Sequence, residues 1–194
     1  MCHRLAIRLA ILAAAAAALG GAACSPDATS FRPIERADPG HAGPPSAAYD
    51  IQLAGKLTAR AHVWSSGGYV SPGNQPMTHV GFEIRSAIAR PLTFDADALE
   101  LVVFDRDGAR LPPAQLEMIT PRSPSLIIVQ PASTTMLGAY FELPVRPRNV
   151  GSMQVRWTLR LDADEYRQVT GFLRDDDAHL VEPRSPAMPR SPSS

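Results

Sequence analysis

The chain has 194 residues, 45% of them hydrophobic and 20% charged, and its 19 basic residues balance 19 acidic ones. That length suits one domain with tails. Without Arg4 and Arg8, which fall in a segment expected to be removed, 17 basic residues face 19 acidic ones, a net of −2. Neither a nucleic acid nor a polybasic approach to a membrane surface fits that balance.

Residues 1–23 read as an export signal: Arg4 and Arg8 give a positive start, Leu9 to Leu19 an apolar stretch, and Gly20-Gly21-Ala22-Ala23 a small-residue cleavage site. The apolar run is shorter than the roughly 20 residues that a spanning helix needs. Cys24 comes next. Gly21-Ala22-Ala23-Cys24 resembles the lipobox of bacterial lipoproteins, in which the cysteine after the cut carries the lipid; it departs from that pattern in that the Leu usual three places before the cysteine is Gly21 here, with Leu19 five before. The resemblance implies an exported chain, lipid-anchored at Cys24 to the envelope, with the outer membrane preferred over the inner. An ordinary signal-peptidase cut at the same bond is the alternative, and it would leave a soluble periplasmic protein. Cys2 departs with the signal, so the mature chain has no pair of cysteines for an internal disulfide.

Residues 24–48, rich in Pro, Ser, Gly and Ala, are expected to form a flexible tether reaching about 25–30 Å. A folded domain is expected over 49–174 and a Pro/Ser-rich tail over 175–194. Leu53, Gly55, Leu57, Ala59, Ala61 and Val63 alternate along a first strand ending at Trp64. Ser65 to Thr78 reads as a Gly/Pro/Asn loop carrying Tyr69. Val80, Phe82 and Ile84 alternate in the next strand, and Leu99, Leu101 and Val103 in another, with turn chemistry at Arg90-Pro91 and Asp95-Ala96-Asp97 between them. Asp105 to Gly108 is a tight turn into a short strand, Ala109–Leu111. The four prolines between Leu111 and Ser125 rule out an interior strand throughout and suggest a crossing between sheets. Leu126–Val129, Thr134–Leu143 and Tyr166–Leu173 complete the strands, together with the clearest of all, Met153, Val155, Trp157, Leu159 and Leu161 at period two.

Seven or eight strands and no helix after the signal predict an all-β, antiparallel sandwich. The run Val80 to Arg90-Pro91-Leu92, then Leu99 to Asp107-Gly108, Val129-Gln130-Pro131-Ala132-Ser133 and Phe141-Glu142-Leu143-Pro144 resembles immunoglobulin-like domains of bacterial surface lipoproteins. The resemblance spans about residues 50 to 174; it implies the sandwich and no activity.

The chemistry-bearing residues are sparse. Phosphate-loop, zinc-protease, Cys-x-x-Cys and Gly-x-Ser-x-Gly motifs are missing from the sequence, and no nucleophile, base and orienter can be grouped by spacing. The expectation is a non-enzymatic binding or structural module of the envelope with no cofactor and no catalytic residue; the alternative is a periplasmic metal-handling protein, with Ca²⁺ at the acidic turns ahead of copper. Met77 and His79 suit copper in kind but lack a second Met/His cluster, since Met118, Met136 and Met153 read as core or cover. Asp105 and Asp107 lie in one turn and Asp162, Asp164 and Glu165 in another. Strands running strictly up and down put both turns at one end beside Ser65–Thr78, where five carboxylates offer the oxygens Ca²⁺ takes. The plainer reading, ordinary turn sequences with solvated charge, is preferred, and no metal site is assigned. Trp64 and Trp157 are both expected in the core. If the module binds, its contact surface is expected at Tyr69, Asp105, Asp107, Asp164 and Glu165, for an envelope protein or a cationic or amphipathic ligand.

Overall fold

The computed structural model describes residues 28–35, 43–53, 55–121 and 125–176. The expected signal segment, Cys24 and the tail from 177 onward lie outside the described residues. Eleven strands run through them: β1 (Phe31–Pro33), β2 (Ala47–Leu53), β3 (Lys56–Val70), β4 (Pro76–Ser86), β5 (Leu92–Asp95), β6 (Glu100–Asp105), β7 (Gln115–Thr120), β8 (Leu126–Val129), β9 (Thr134–Glu142), β10 (Val150–Leu161) and β11 (Asp164–Arg174). They form two sheets. One has five strands in the order β2-β3-β4-β9-β7; the other has six, β1-β11-β10-β5-β8, with β6 also on β10. Every pairing between strands is antiparallel. The protein is an antiparallel β-sandwich.

The period-two residues explain the layering, because alternate side chains of a strand point to opposite faces. Met153, Val155, Trp157 and Leu159 of β10 face Val80, Phe82, Ile84, Leu137, Ala139 and Phe141 of the other sheet, and all are buried. Trp157 sits at the middle. Its ring meets Tyr49, Phe82 and Tyr166 at centroid distances of 5.6, 6.0 and 5.8 Å, and its Nε1 donates to Thr170 Oγ1 at 3.1 Å. The indole N–H is satisfied inside the core, which lets so large a side chain be buried at little polar cost.

Four expectations are corrected. The tether does not extend through 28–35: Phe31 is buried, Thr29 and Gly68 exchange both backbone hydrogen bonds (2.9 and 2.7 Å), and Ile34 lies over Gly171. Among the described residues the sandwich is therefore entered by Thr29, and Pro33 is tolerated because β1 is an edge strand. The long first strand is two, β2 and β3, folded back at Gly55 with φ +73°. Ser65–Thr78 is not a loop: β3 and β4 pair as far as Val70↔Pro76, leaving only residues 71–75 as the turn. Gly67, at φ +92°, supplies the bulge between Ser65 and Gly68 that lets the ladder continue.

The strand count is the fourth. β5 and β6 are two halves of one traverse along β10, separated by a turn in which Asp95 accepts the amides of Asp97 and Ala98 at 3.1 Å each. β7 and β8 are likewise successive halves of one traverse, but in different sheets, so the proline-rich segment does cross between sheets as its composition suggests. Ala109–Leu111 makes only an isolated bridge, Phe104↔Arg110.

Candidate functional site

These traverses decide which turns meet. β6 ends at Asp105 opposite Val150, the start of β10, whereas Leu161↔Asp164 closes the β10–β11 hairpin at the far end of the same strand. Eleven steps along β10 separate the two acidic turns by about 35 Å at ~3.3 Å per residue. The expected five-carboxylate cluster is therefore not formed, and no ion holding its oxygens at about 2.3–2.6 Å can touch both turns. Counting Ala109–Leu111 as a traverse of its own is what puts them at one end. Among the described residues no group of three or more His, Cys, Asp or Glu is placed to hold a metal.

Three of the five acidic residues also have local work. Asp105 Oδ1 accepts the amides of Asp107 (3.0 Å) and Ala109 (2.8 Å), which fixes the turn around Gly108. Glu165 accepts from Arg160 Nη2 at 3.2 Å and from Arg167 Nε at 2.9 Å. Asp162 pairs with Arg90 across the same end. Asp107 and Asp164 are exposed on their separate turns. Of the expected contact set, Tyr69, Asp105 and Asp107 share one end of the sandwich, while Asp164 and Glu165 occupy the other.

The structure gathers a different set on the outer face of the five-stranded sheet. Gly81 and Gly138 are cross-strand partners in the middle of it. With no side chains there, larger neighbours lie down on the backbone. A Cβ at Gly81 would stand 2.2 Å from Trp64 Cε2, and one at Gly138 would stand 2.7 Å from His79 Nε2 and 2.8 Å from Thr120 Oγ1. Trp64 is thus not a core residue: Ala59, Ala61 and Val63 point inward, and Trp64 is one step out of their phase. His79 hydrogen-bonds Ser66 Oγ through Nδ1 at 2.8 Å and its ring lies 4.6 Å from Tyr140. Burial holds its imidazole below the usual 6.5, so it is neutral at neutral pH. Tyr69 is half-buried beside Met77 in the ladder, and burial raises its phenol, with Tyr140 contributing.

Two methionines complete the face. Met118 pairs with Tyr140 and Met136 with Glu83, and they are 42% and 53% exposed. Met77 is buried and Met153 lies in the core. The pairing register brings Met118, Met136, Trp64, His79 and Tyr140 together; their chain separation is why residue spacing missed them. The one readable sign was the phase of Trp64 against Val63.

The outer face of the six-stranded sheet is of another kind. A depression of about 380 Å³ lies over Trp157 and Thr158 where β5 gives way to β6, rimmed by Glu100, Arg156, Arg167 and Val169. Its charged residues are engaged in ion pairs, Arg156 with Glu100 at 2.9 Å and Arg167 Nε with Glu165 at 2.9 Å.

No protein-family model and no curated protein matches the chain. Among solved structures it is similar to a FixG-related protein from Vibrio parahaemolyticus, at 9% identity and TM-score 0.38 over 61% of this chain and 97% of that one. It is also similar to an uncharacterized beta-sandwich protein from Clostridium difficile, at 11% identity and TM-score 0.31 over 61% and 89%. Likenesses at this level carry no argument about what the chain does.

Proposed function

We propose that the chain is a non-enzymatic binding module of the bacterial cell envelope, anchored by lipid at Cys24, which takes its partner on the outer face of the five-stranded sheet. The observation that carries the reading is one outer face on which Trp64 and His79 cover the Gly81–Gly138 pair, Tyr140 adjoins His79, and exposed Met118 and Met136 flank them two residues to either side of Gly138 in register. Polarizable thioethers adapt to irregular apolar surfaces, and aromatic rings add a face that attracts cations. An amphipathic or cationic segment of an envelope protein fits that chemistry. The anchor rests on the sequence at Gly21–Cys24.

Two experiments separate the parts of this reading. A palmitate analogue should label the wild type and not Cys24→Ala, and an unlabelled wild type in the soluble fraction contradicts the anchor. Met118→Asp with Met136→Asp should leave the melting temperature nearly unchanged and abolish the partner recovered by envelope crosslinking. Undiminished recovery contradicts the binding face.

A further inference from the structure

Strand β1 shortens the leash. If residues 24–48 were all tether, the sandwich would sit well clear of a bilayer; instead Thr29 already belongs to the fold, clamped to Gly68 by two backbone hydrogen bonds and followed by the Asp175 amide donating to Ser30 O at 3.1 Å. Just beyond, Phe31 buries its ring against Gly68, and Ile34, about half exposed, rests on Gly171. Five Cα–Cα steps separate Cys24 from Thr29. They span at most about 18 Å, at about 3.3–3.6 Å each.

Where that leash attaches matters as much as its length. Gly68 lies two residues from the end of β3, at the end of the sandwich that carries the 71–75 turn, the Asp105–Gly108 turn and the 147–149 turn. The β3–β4 tip projects beyond Gly68 by about 10 Å, while the other end of β3 lies about 40 Å behind it, at ~3.3 Å per residue. An anchor at Cys24 therefore holds the 71–75 tip within about 10 Å of the bilayer surface when the strands stand upright. Ser71-Pro72-Gly73-Asn74-Gln75 carries no charge that would have to be desolvated there. The tip is also braced: Asn74 amide donates to Ser71 O at 2.9 Å, and Arg146 Nη2 donates to Asn74 Oδ1 at 2.9 Å.

We propose that this end of the sandwich is a membrane-facing surface, with the phospholipid headgroup layer as its partner, so that the domain stands end-on and turns its sheet faces sideways. The inference rests on the lipid reading at Cys24. Charge does not drive it: at this end Arg32 pairs with Asp175 at 3.9 Å and Arg174 with Asp176 at 3.0 Å, and Asp105 and Asp107 stand beside Arg106. The short covalent link does.

Lipidation consumes the Cys24 thiol, and Cys2 leaves with the signal, so an introduced cysteine is the one free thiol. Gly73 has no neighbour closer than 3.8 Å to an added Cβ, and Ala163 lies in the exposed turn at the opposite end. The test places a fluorophore on Gly73→Cys or on Ala163→Cys in the lipidated full chain, reconstituted into phosphatidylethanolamine/phosphatidylglycerol vesicles carrying a headgroup quencher. Quenching several-fold stronger at 73 than at 163, and lost when twelve Gly/Ser residues are inserted after Ser25, supports end-on docking. Equal quenching at both sites means the domain lies flat; none at either means it stands clear. Each overturns the proposal. Wild-type protein that does not float with vesicles sinks the anchor and this inference together, whereas protein that floats and fails the quenching pattern sinks this inference alone.

Discussion

Two tryptophans occupy the two sides of the sandwich's logic. Trp157 is sealed between the sheets with its N–H paired to Thr170, while Trp64 lies on the outside of the five-stranded sheet, flat over Gly81. The first contributes what any buried aromatic does, apolar area and contacts on every side. The second exists only because a glycine across the ladder leaves room, and the same device repeats one strand over, where His79 and Thr120 cover Gly138. Stability is concentrated in one region and an accessible, chemically unusual surface in the other.

The comparison breaks most visibly at Trp157. Trp157→Ala should cost about 3–5 kcal/mol in urea or thermal unfolding, as truncation of a buried large aromatic does. A cost no greater than that of Trp64→Ala would mean the two positions are not distinct. Next is Gly81→Ala, whose new Cβ would stand 2.2 Å from Trp64 and must evict it. A destabilisation of about 1–3 kcal/mol is expected for such overpacking, with a red-shifted tryptophan emission. In a double-mutant cycle Trp64→Ala should remove much of that penalty, because the clash needs both partners.

A smaller, pH-dependent effect belongs to His79. Burial lowers its folded-state pKa below the usual 6.5, so the unfolded chain takes up a proton at higher pH than the folded one. Its contribution is therefore complete above about pH 6.5 and is lost as pH falls through that value toward the folded-state pKa. His79→Gln should flatten that part of the stability–pH curve, and an unchanged slope would place the titration elsewhere. The smallest effect is expected on the six-stranded sheet's outer face. Arg156 is half-exposed and pairs with Glu100 at 2.9 Å, so Arg156→Ala should cost no more than about 1 kcal/mol in the same unfolding assay.

Strand β10 was legible because its five apolar positions at period two face one buried surface, and Met153 to Leu159 bear that out. The face of Leu137, Ala139 and Phe141 on β9 was legible for the same reason. Residues 65–78 were not. Ser, Gly, Pro and Asn there carry the local chemistry of a loop, whereas the strand is held by pairing to β4 and by Thr29, contacts that no local window contains. β1 was hidden likewise, three residues whose strand character comes wholly from docking on β11. The outer-face cluster assembles residues from Trp64 to Tyr140 by register alone. One miscounted traverse was enough to send Asp164 and Glu165 to the wrong end.

The most direct test of the binding face compares it with its counterpart. A photo-crosslinking residue placed at Met136 on the five-stranded sheet, or at Val169 on the six-stranded sheet, samples two exposed apolar positions, 53% and 43% accessible, on opposite outer faces. In intact envelopes the account predicts a discrete adduct from position 136 and none from position 169. The same adduct from both positions, or from 169 alone, would contradict it.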